Sequence, residues 1–248
     1  YAIFETINSK KVELSVSELL KNYLFLQSYK VGTASLADTR KKWQEITDNL
    51  SQGEEEIEPS QFIRHYWISN VDSISEKNLY RAIKKYYKDK KNEFREFPSH
   101  LTSEASLYAK LINSTKDINE EIIDDEASRL LEQIKTLRVK QCYPILLSAI
   151  SIEIPKGEFK ALLKAIIRVS ILRGLTDRNP NELEDVYAKH ARLLRKKKSE
   201  TIGDILKDIA KFSINESEMK QYLLDNFELR NASLLLNFRY AKTASVAC

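Results

Sequence analysis

The fold is set by the stretch Leu14-Ser15-Val16-Ser17-Glu18-Leu19-Leu20-Lys21-Asn22-Tyr23-Leu24-Phe25, which has the clearest helix-start signal in the chain. Ser15 followed by Glu18 is the capping-box pattern, in which the serine hydroxyl and the glutamate carboxylate satisfy free backbone N–H groups. Leu19, Leu20, Tyr23 and Leu24 then recur at helical spacing and give one apolar face. Together with Phe4-Glu5-Thr6-Ile7-Asn8 and the polar segment between them, the stretch predicts an amphipathic helical hairpin.

The composition favours helix along the whole chain. With 248 residues, 42% of them hydrophobic, the chain can bury a sizeable core. It contains only 5 glycines and 5 prolines, so a β-sandwich with its many turns is disfavoured. We therefore predict an all-α protein, an irregular multi-helix bundle of about eleven helices.

Two stretches are predicted to form buried structure. Ile145-Leu146-Leu147-Ser148-Ala149-Ile150 is apolar on every side, so it should be a central buried helix with Pro144 in its first turn. Phe62-Ile63 and Tyr66-Trp67 form a stripe at helical spacing, which is more often core than a platform for stacking bases. A loop is expected around Phe97-Pro98, because proline disfavours a helix interior.

If the chain contacts DNA, two basic clusters are the candidate binding surfaces. The preferred cluster has six Lys or Arg residues without an acid between them, near the end of a predicted helix: Lys189, Arg192, Arg195, Lys196, Lys197 and Lys198. The second lies on another helix, near Asp89 and Glu93: Arg81, Lys84, Lys85 and Lys88. Either cluster could instead be a solvated helix face, and basic residues also complement a helix C-terminus. No aromatic residue lies within the preferred cluster, so it should contact phosphates rather than bases.

The residues needed for catalysis do not come together in the sequence. His65, His100 and His190 lie in separate helical contexts without a second metal ligand at the right spacing. The acidic run Asp124-Asp125-Glu126 suits a helix N-terminus better than a metal site, because consecutive residues point around the helix. No phosphate-binding loop motif or C-x-x-C motif occurs. We therefore expect that the chain itself has no catalytic residues, no metal site and no cofactor.

Two further properties concern the cellular setting. The two cysteines, Cys142 and Cys248, are far apart, so no disulfide framework or zinc ribbon is available. The apolar runs are too short to cross a bilayer, and no signal peptide pattern opens the chain. We predict a cytoplasmic protein without a membrane partner.

The opening stretch also carries a resemblance to a known family. The order F-E-T-[IL]-N, a polar loop, L-S, an acidic residue and L-L-K-N-Y-L-F resembles the GmrSD family of modification-dependent (type IV) restriction endonucleases. The resemblance continues in Phe62-Ile63-Arg64-His65-Tyr66-Trp67 and Leu79-Tyr80-Arg81-Ala82-Ile83-Lys84-Lys85-Tyr86, and more loosely in Ile166-Ile167-Arg168 with Arg173-Gly174. It covers most of the chain, strongly at the front. One departure is Lys11, where the family usually has glycine; a positive φ there would cost lysine about 1 kcal/mol.

The resemblance implies that the chain is the helical middle of a longer protein. In the family, the ParB-like nucleotide motif D-G-Q-Q-R precedes the opening phrase, and a His-Asn-His nuclease domain follows the helical region. Residues 1–30 would then be the end of the nucleotide-binding region with a connecting helix, residues 31–140 a first helical subdomain, and residues 141–248 a second one leading to the nuclease domain. Thr6 and Asn8 would lie at the edge of the nucleotide site, although Asn8 could equally cap a helix end.

Two functions follow as hypotheses. In the first, the chain is the helical DNA-contacting and coupling domain of a GmrSD-like, NTP-dependent phage-defence endonuclease. Its partners would be DNA, including modified phage DNA, and the other domains of the same polypeptide, while the NTP and a divalent metal belong to the full-length parent. In the alternative, the chain is a helical protein-interaction scaffold that does not bind nucleic acid.

Overall fold

The computed structural model describes residues 14–53, 56–114, 123–176, 178–179, 182–196 and 202–226. These residues contain a 3-10 helix, Lys140–Cys142, and no β-strand. They also form eleven α-helices: α1 Val16–Val31, α2 Thr33–Ser51, α3 Pro59–Asn70, α4 Glu76–Tyr86, α5 Lys91–Asn113, α6 Asp125–Thr136, α7 Tyr143–Ser151, α8 Lys156–Leu175, α9 Glu182–Arg195, α10 Ile202–Ala210 and α11 Glu216–Asn226. The predicted all-α bundle of about eleven helices is confirmed.

The helices form two compact units. The first contains the described residues through Ile68 together with Ser73–Ala109, and the second contains Ser69–Asp72 and the described residues from Lys110 onward. The sequence analysis placed a subdomain boundary after residue 140, whereas residues 123–140 belong to the second unit here. The reason is that α6 packs against α8.

The N-terminus of α1 has the predicted capping box. The Glu18 N–H donates to Ser15 Oγ at 3.2 Å, and the Ser15 N–H donates to Glu18 Oε2 at 3.0 Å. Leu20 and Leu24 are buried on the inner face. These contacts position α1 against α2 and α4.

Gly32 separates α1 from α2 and belongs to the caps of both helices. Its φ of 151° and ψ of 166° lie in a region that side-chain-bearing residues rarely adopt. The Gly32 N–H donates to the Ser28 carbonyl at 3.1 Å, and the Leu36 N–H donates to the Gly32 carbonyl at 3.1 Å. The chain therefore reverses at one residue, which allows α1 and α2 to pack together.

Aromatic side chains dominate the core of the first unit. Phe62, Ile63, Tyr66 and Trp67 are all buried, so the predicted core stripe is confirmed. The stripe packs on α5, where Tyr108 lies 5.4 Å from Phe62 between ring centroids. These side chains are therefore not available to stack on bases.

The predicted loop at Phe97-Pro98 is wrong, because α5 continues through Pro98 from Lys91 to Asn113. Proline lacks the N–H that would bond to the preceding turn. Packing compensates for that loss: Phe97 is buried, with its ring 4.8 Å from Tyr87 and 6.0 Å from Tyr66. Tertiary contacts thus override the local preference for a break.

The second unit is organised around α7. Every residue from Tyr143 to Ile150 is buried, which confirms the predicted central helix, and Pro144 lies in its first turn. Helix α9 packs against α7, while α6 and α10 pack against α8. Asp124 caps α6 by accepting from the Ala127 N–H at 2.9 Å, as the helix-terminus interpretation of the acidic run predicts.

Candidate nucleic-acid interface

Helix α4 carries a basic surface that we call the α4 basic ridge, formed by Lys77, Arg81, Lys84, Lys85 and Lys88. The helix begins after Ser75, whose hydroxyl makes no hydrogen bond to the free N–H groups of the first turn. Leu79 and Ile83 are fully buried on one side of α4. Residues 77, 81 and 84 are spaced by four and three positions, so they share the other side of α4, and Lys88 follows in the turn after the helix ends at Tyr86.

Most of the ridge is open to solvent. Lys77, Arg81, Lys85 and Lys88 are exposed. Within the residues that the structure describes, their side chains form no ion pair or hydrogen bond. Glu93, which the sequence analysis counted against this cluster, pairs instead with Lys90 at 3.3 Å. The cationic groups on the ridge are therefore available to an external anion.

Lys84 is held by aromatic rings at the edge of the ridge. Its ammonium lies 5.8 Å from the Tyr23 ring centroid and 5.4 Å from that of Tyr80. The two rings meet edge to face at 6.2 Å, and Tyr23 also contacts Phe94 at 5.2 Å. Cations are attracted to the faces of aromatic rings. This aromatic cluster therefore fixes one side of the ridge to the core.

The ridge has the dimensions of a backbone-contacting surface. Its helical part, from position 77 to position 85, rises by roughly 12 Å at about 1.5 Å per residue, and Lys88 follows in the turn after the helix. One DNA strand carries a phosphate about every 3.4 Å along the helix axis. The ridge can therefore face several phosphates, and its lysines and arginine suit contacts that position DNA without reading its sequence.

The preferred cluster on α9 is engaged within the protein. Lys189 pairs with Asp208 at 3.2 Å, and Arg192 lies 3.7 Å from Asp72. Arg195 donates from Nε to Ser148 Oγ at 3.1 Å and from Nη1 to Ser151 Oγ at 3.0 Å. Lys196 is exposed, while Lys197 and Lys198 lie outside the described residues.

Asp208 gathers several basic groups at this end of α9. Lys211 and Lys189 both donate to its carboxylate, and these two contacts hold the pKa of Asp208 well below its usual range. The buried His190 ring lies 3.1 Å from the same carboxylate through Nε2. The charge of Lys189 is therefore partly neutralised before any ligand arrives.

A third basic stripe, on α8, is neutralised in the same way. Lys160 pairs with Asp124 at 3.2 Å and with Glu126 at 2.8 Å, while Lys164 pairs with Glu126 at 2.9 Å. The Ala127 N–H, together with Lys160, lowers the pKa of Asp124 to about 2.

Because basic groups on α8 and α9 are paired within the protein, the α4 basic ridge is the stronger candidate for binding an anion. Sequence analysis overlooked Lys77, although its position four residues before Arg81 could have indicated it.

The other residues considered for catalysis, metal binding or nucleotide binding are described next. His65 Nδ1 lies 2.6 Å from the Tyr108 hydroxyl in the core. Burial raises the pKa of the Cys142 thiol, which therefore stays protonated at neutral pH. Among the described residues, no cluster of three His, Cys, Asp or Glu side chains could hold a metal ion. The predicted nucleotide-site residues Thr6 and Asn8 lie outside the described residues.

The fold and this surface define an all-helical protein that presents a solvent-facing cationic helix. No protein-family model, curated protein or solved structure matches the chain. In the parts of the chain that the structure describes, none of the helices combines the length and apolarity needed to cross a membrane.

Proposed function

We propose that this chain is the helical DNA-contacting and coupling domain of a GmrSD-like, NTP-dependent restriction endonuclease that acts against phage DNA in the cytoplasm. The resemblance of residues 3–25 to that family supports the proposal at the sequence level. The NTP, the divalent metal and the nuclease chemistry then belong to other domains of the same polypeptide, with Thr6 and Asn8 at the edge of the nucleotide site.

The observation that carries the proposal is the α4 basic ridge. Four of its five basic side chains are exposed and form no pair within the described residues. Such an arrangement leaves positive charge uncompensated on one helix face. Neutralising DNA phosphates with these groups would release condensed counterions, which is the main source of affinity in sequence-independent binding.

Contacts with phosphates would give the ridge the role of positioning the DNA. Lysine and arginine bonds to phosphates fix the orientation of a protein on the duplex and carry no sequence information. Recognition of a DNA modification therefore belongs to another part of the enzyme. The ridge would keep the duplex engaged while nucleotide binding and cleavage occur in the other domains.

A salt titration of duplex DNA binding tests the proposal. The Arg81→Ala, Lys85→Ala, Lys88→Ala triple variant should weaken binding about tenfold or more for every sequence, and its salt slope should become shallower by about one unit per lost phosphate contact. A matched control removes three exposed charges elsewhere, Arg129→Ala, Lys140→Ala and Arg168→Ala, and should bind as the unmodified protein does.

The result separates the two hypotheses. Equal binding by the ridge variant and the control would reject the ridge as the DNA surface. Absence of salt-dependent DNA binding by the unmodified protein would reject the DNA-contacting function and favour the protein-interaction scaffold. Under the proposal the chain itself neither cleaves DNA nor hydrolyses NTP.

A further inference from the structure

The second unit contains a cavity of about 330 Å³ between the end of α6, the 3-10 helix and the C-terminal part of α8. Its walls combine aliphatic side chains, including Ile171, Leu175 and Leu183, with the polar residues Ser170 and Gln141. Three arginines, Arg138, Arg173 and Arg178, also line it. None of these residues belongs to the α4 basic ridge or to the basic cluster on α9.

Arg173 lines the cavity and is only 2% exposed. Its Nη2 donates to the Asn179 carbonyl at 2.6 Å and to Glu182 Oε2 at 2.7 Å, and its guanidinium lies 6.0 Å from the Phe212 ring centroid. Its Nε is buried and has no hydrogen-bond acceptor among the described residues. A buried donor without an acceptor is unfavourable, so an anion in the cavity would satisfy it.

Arg138 and Arg178 lie on the exposed side of the cavity. Arg178 lies 3.6 Å from Glu218, whereas Arg138 has no acidic partner in the described part of the chain. Arg138 also has a positive φ of 55° just after α6, a position where glycine is usually favoured. Among the described residues, Glu182 pairs with Arg173 and Glu218 with Arg178, and Arg138 is the cavity arginine without an acidic partner.

We propose that this cavity binds a small phosphate monoester with an apolar body, such as a mononucleotide. Guanidinium groups match the oxygens of phosphate and carboxylate, and three arginines that line one cavity suit phosphate, which offers three terminal oxygens. The aliphatic walls suit a base or another apolar group. A cavity of about 330 Å³ lies at the lower end of ligand-pocket volumes, so it fits one small ligand.

Calorimetric titration at constant ionic strength tests the proposal with four probes: AMP, inorganic phosphate, adenosine and succinate. AMP should bind saturably and more tightly than inorganic phosphate, which lacks an apolar body. Adenosine and succinate should bind at least tenfold more weakly than AMP, because each lacks the phosphate. Equal affinity for AMP and adenosine, equal affinity for AMP and succinate, or no saturable binding of AMP at millimolar concentration would each overturn the proposal.

Two substitutions distinguish a ligand site from a structural one. Arg138→Gly removes a cavity arginine but relieves its positive φ, so AMP affinity should fall at least tenfold while the melting temperature stays the same or rises. Arg178→Ala should also weaken AMP binding. Arg168→Ala, an exposed arginine of α8 outside the cavity, is the control and should bind AMP normally. Unchanged AMP affinity in the Arg138→Gly protein would overturn the proposal.

The outcome is independent of DNA binding at the α4 basic ridge. Arg138→Gly should bind duplex DNA as the unmodified protein does, and the triple variant of the ridge should bind AMP normally. Absence of salt-dependent DNA binding by an unmodified protein that still binds AMP would therefore reject only the ridge function. Loss of AMP binding in the Arg138→Gly protein alone would support the cavity site.

Discussion

The α4 basic ridge and the basic cluster at the end of α9 are similar in sequence but differ in the structure. Lys77, Arg81, Lys85 and Lys88 of the ridge project into solvent without a partner among the described residues. Every described member of the α9 cluster except Lys196 has an acidic or hydroxyl partner. The partners come from distant parts of the chain: Asp72, Ser148, Ser151 and Asp208.

The difference shows that the number of basic residues in a segment does not determine its availability to a ligand. A charge that already contacts a carboxylate within the protein gains less from a phosphate, because the first contact must be lost or shared. The comparison predicts that the α9 residues contribute to stability, whereas the exposed ridge residues contribute to binding. The following substitutions test that division of roles.

Arg195→Ala should have the largest effect on stability among the single substitutions. The change removes two hydrogen bonds that the charged guanidinium donates and leaves the buried Ser148 hydroxyl without this partner, at a cost of about 2 kcal/mol. Urea unfolding measures the loss as a lower midpoint at unchanged slope. Arg81→Ala, the matched control on the ridge, should change the unfolding free energy by less than about 0.5 kcal/mol.

Equal stabilities for the Arg195→Ala and Arg81→Ala proteins would break the comparison. That result would mean that the serine contacts of Arg195 contribute nothing to folding. The α9 cluster would then regain its place as a DNA-binding candidate.

Lys84→Ala should have a smaller effect and sharpens the comparison within the ridge. Lys84 contacts the faces of Tyr23 and Tyr80, whereas Lys85 extends into solvent. Cation–π contacts at partly exposed sites contribute about 0.5–1 kcal/mol, so Lys84→Ala should lower the unfolding free energy by about that amount. Lys85→Ala is the control and should leave the urea midpoint unchanged; a similar loss in both proteins would show that the aromatic contact is not specific.

Much of the fold could be predicted from local sequence signals. The Ser15 and Glu18 capping box, the buried helix Tyr143–Ser151 and the Asp124 cap all lie where the sequence predicted them. Each depends on residues within one or two helical turns. The loop prediction at Pro98 failed because Phe97 is held by Tyr66 and Tyr87, two contacts that local sequence does not reveal.

The candidate site was less predictable for the same physical reason. Sequence analysis ranked the α9 cluster first because no acid interrupts it, yet Asp208 follows Lys189 by nineteen residues and Asp72 precedes Arg192 by far more. Conversely, Glu93 lowered the rank of the ridge although it pairs with Lys90. The sign of nearby charge can be read from sequence, but the choice of ion-pair partner depends on tertiary packing.

Lys189→Ala should have the smallest effect, because Lys189 is 56% exposed and Lys211 also holds the Asp208 carboxylate. The folded-state pKa of Asp208 lies below its unfolded value, mainly because of Lys211 and then Lys189. The stability from this pairing is therefore fully present above the ordinary pKa of aspartate, about 4, and is lost as the pH falls through the lower folded value. NMR titration of the Asp208 carboxyl should show a pKa closer to the ordinary value in Lys189→Ala than in the unmodified protein, and a larger rise in Lys211→Ala. No rise in Lys189→Ala would mean that the Lys189 charge is as available as those of the ridge, and the distinction between the two clusters would then depend on Arg192 and Arg195 alone.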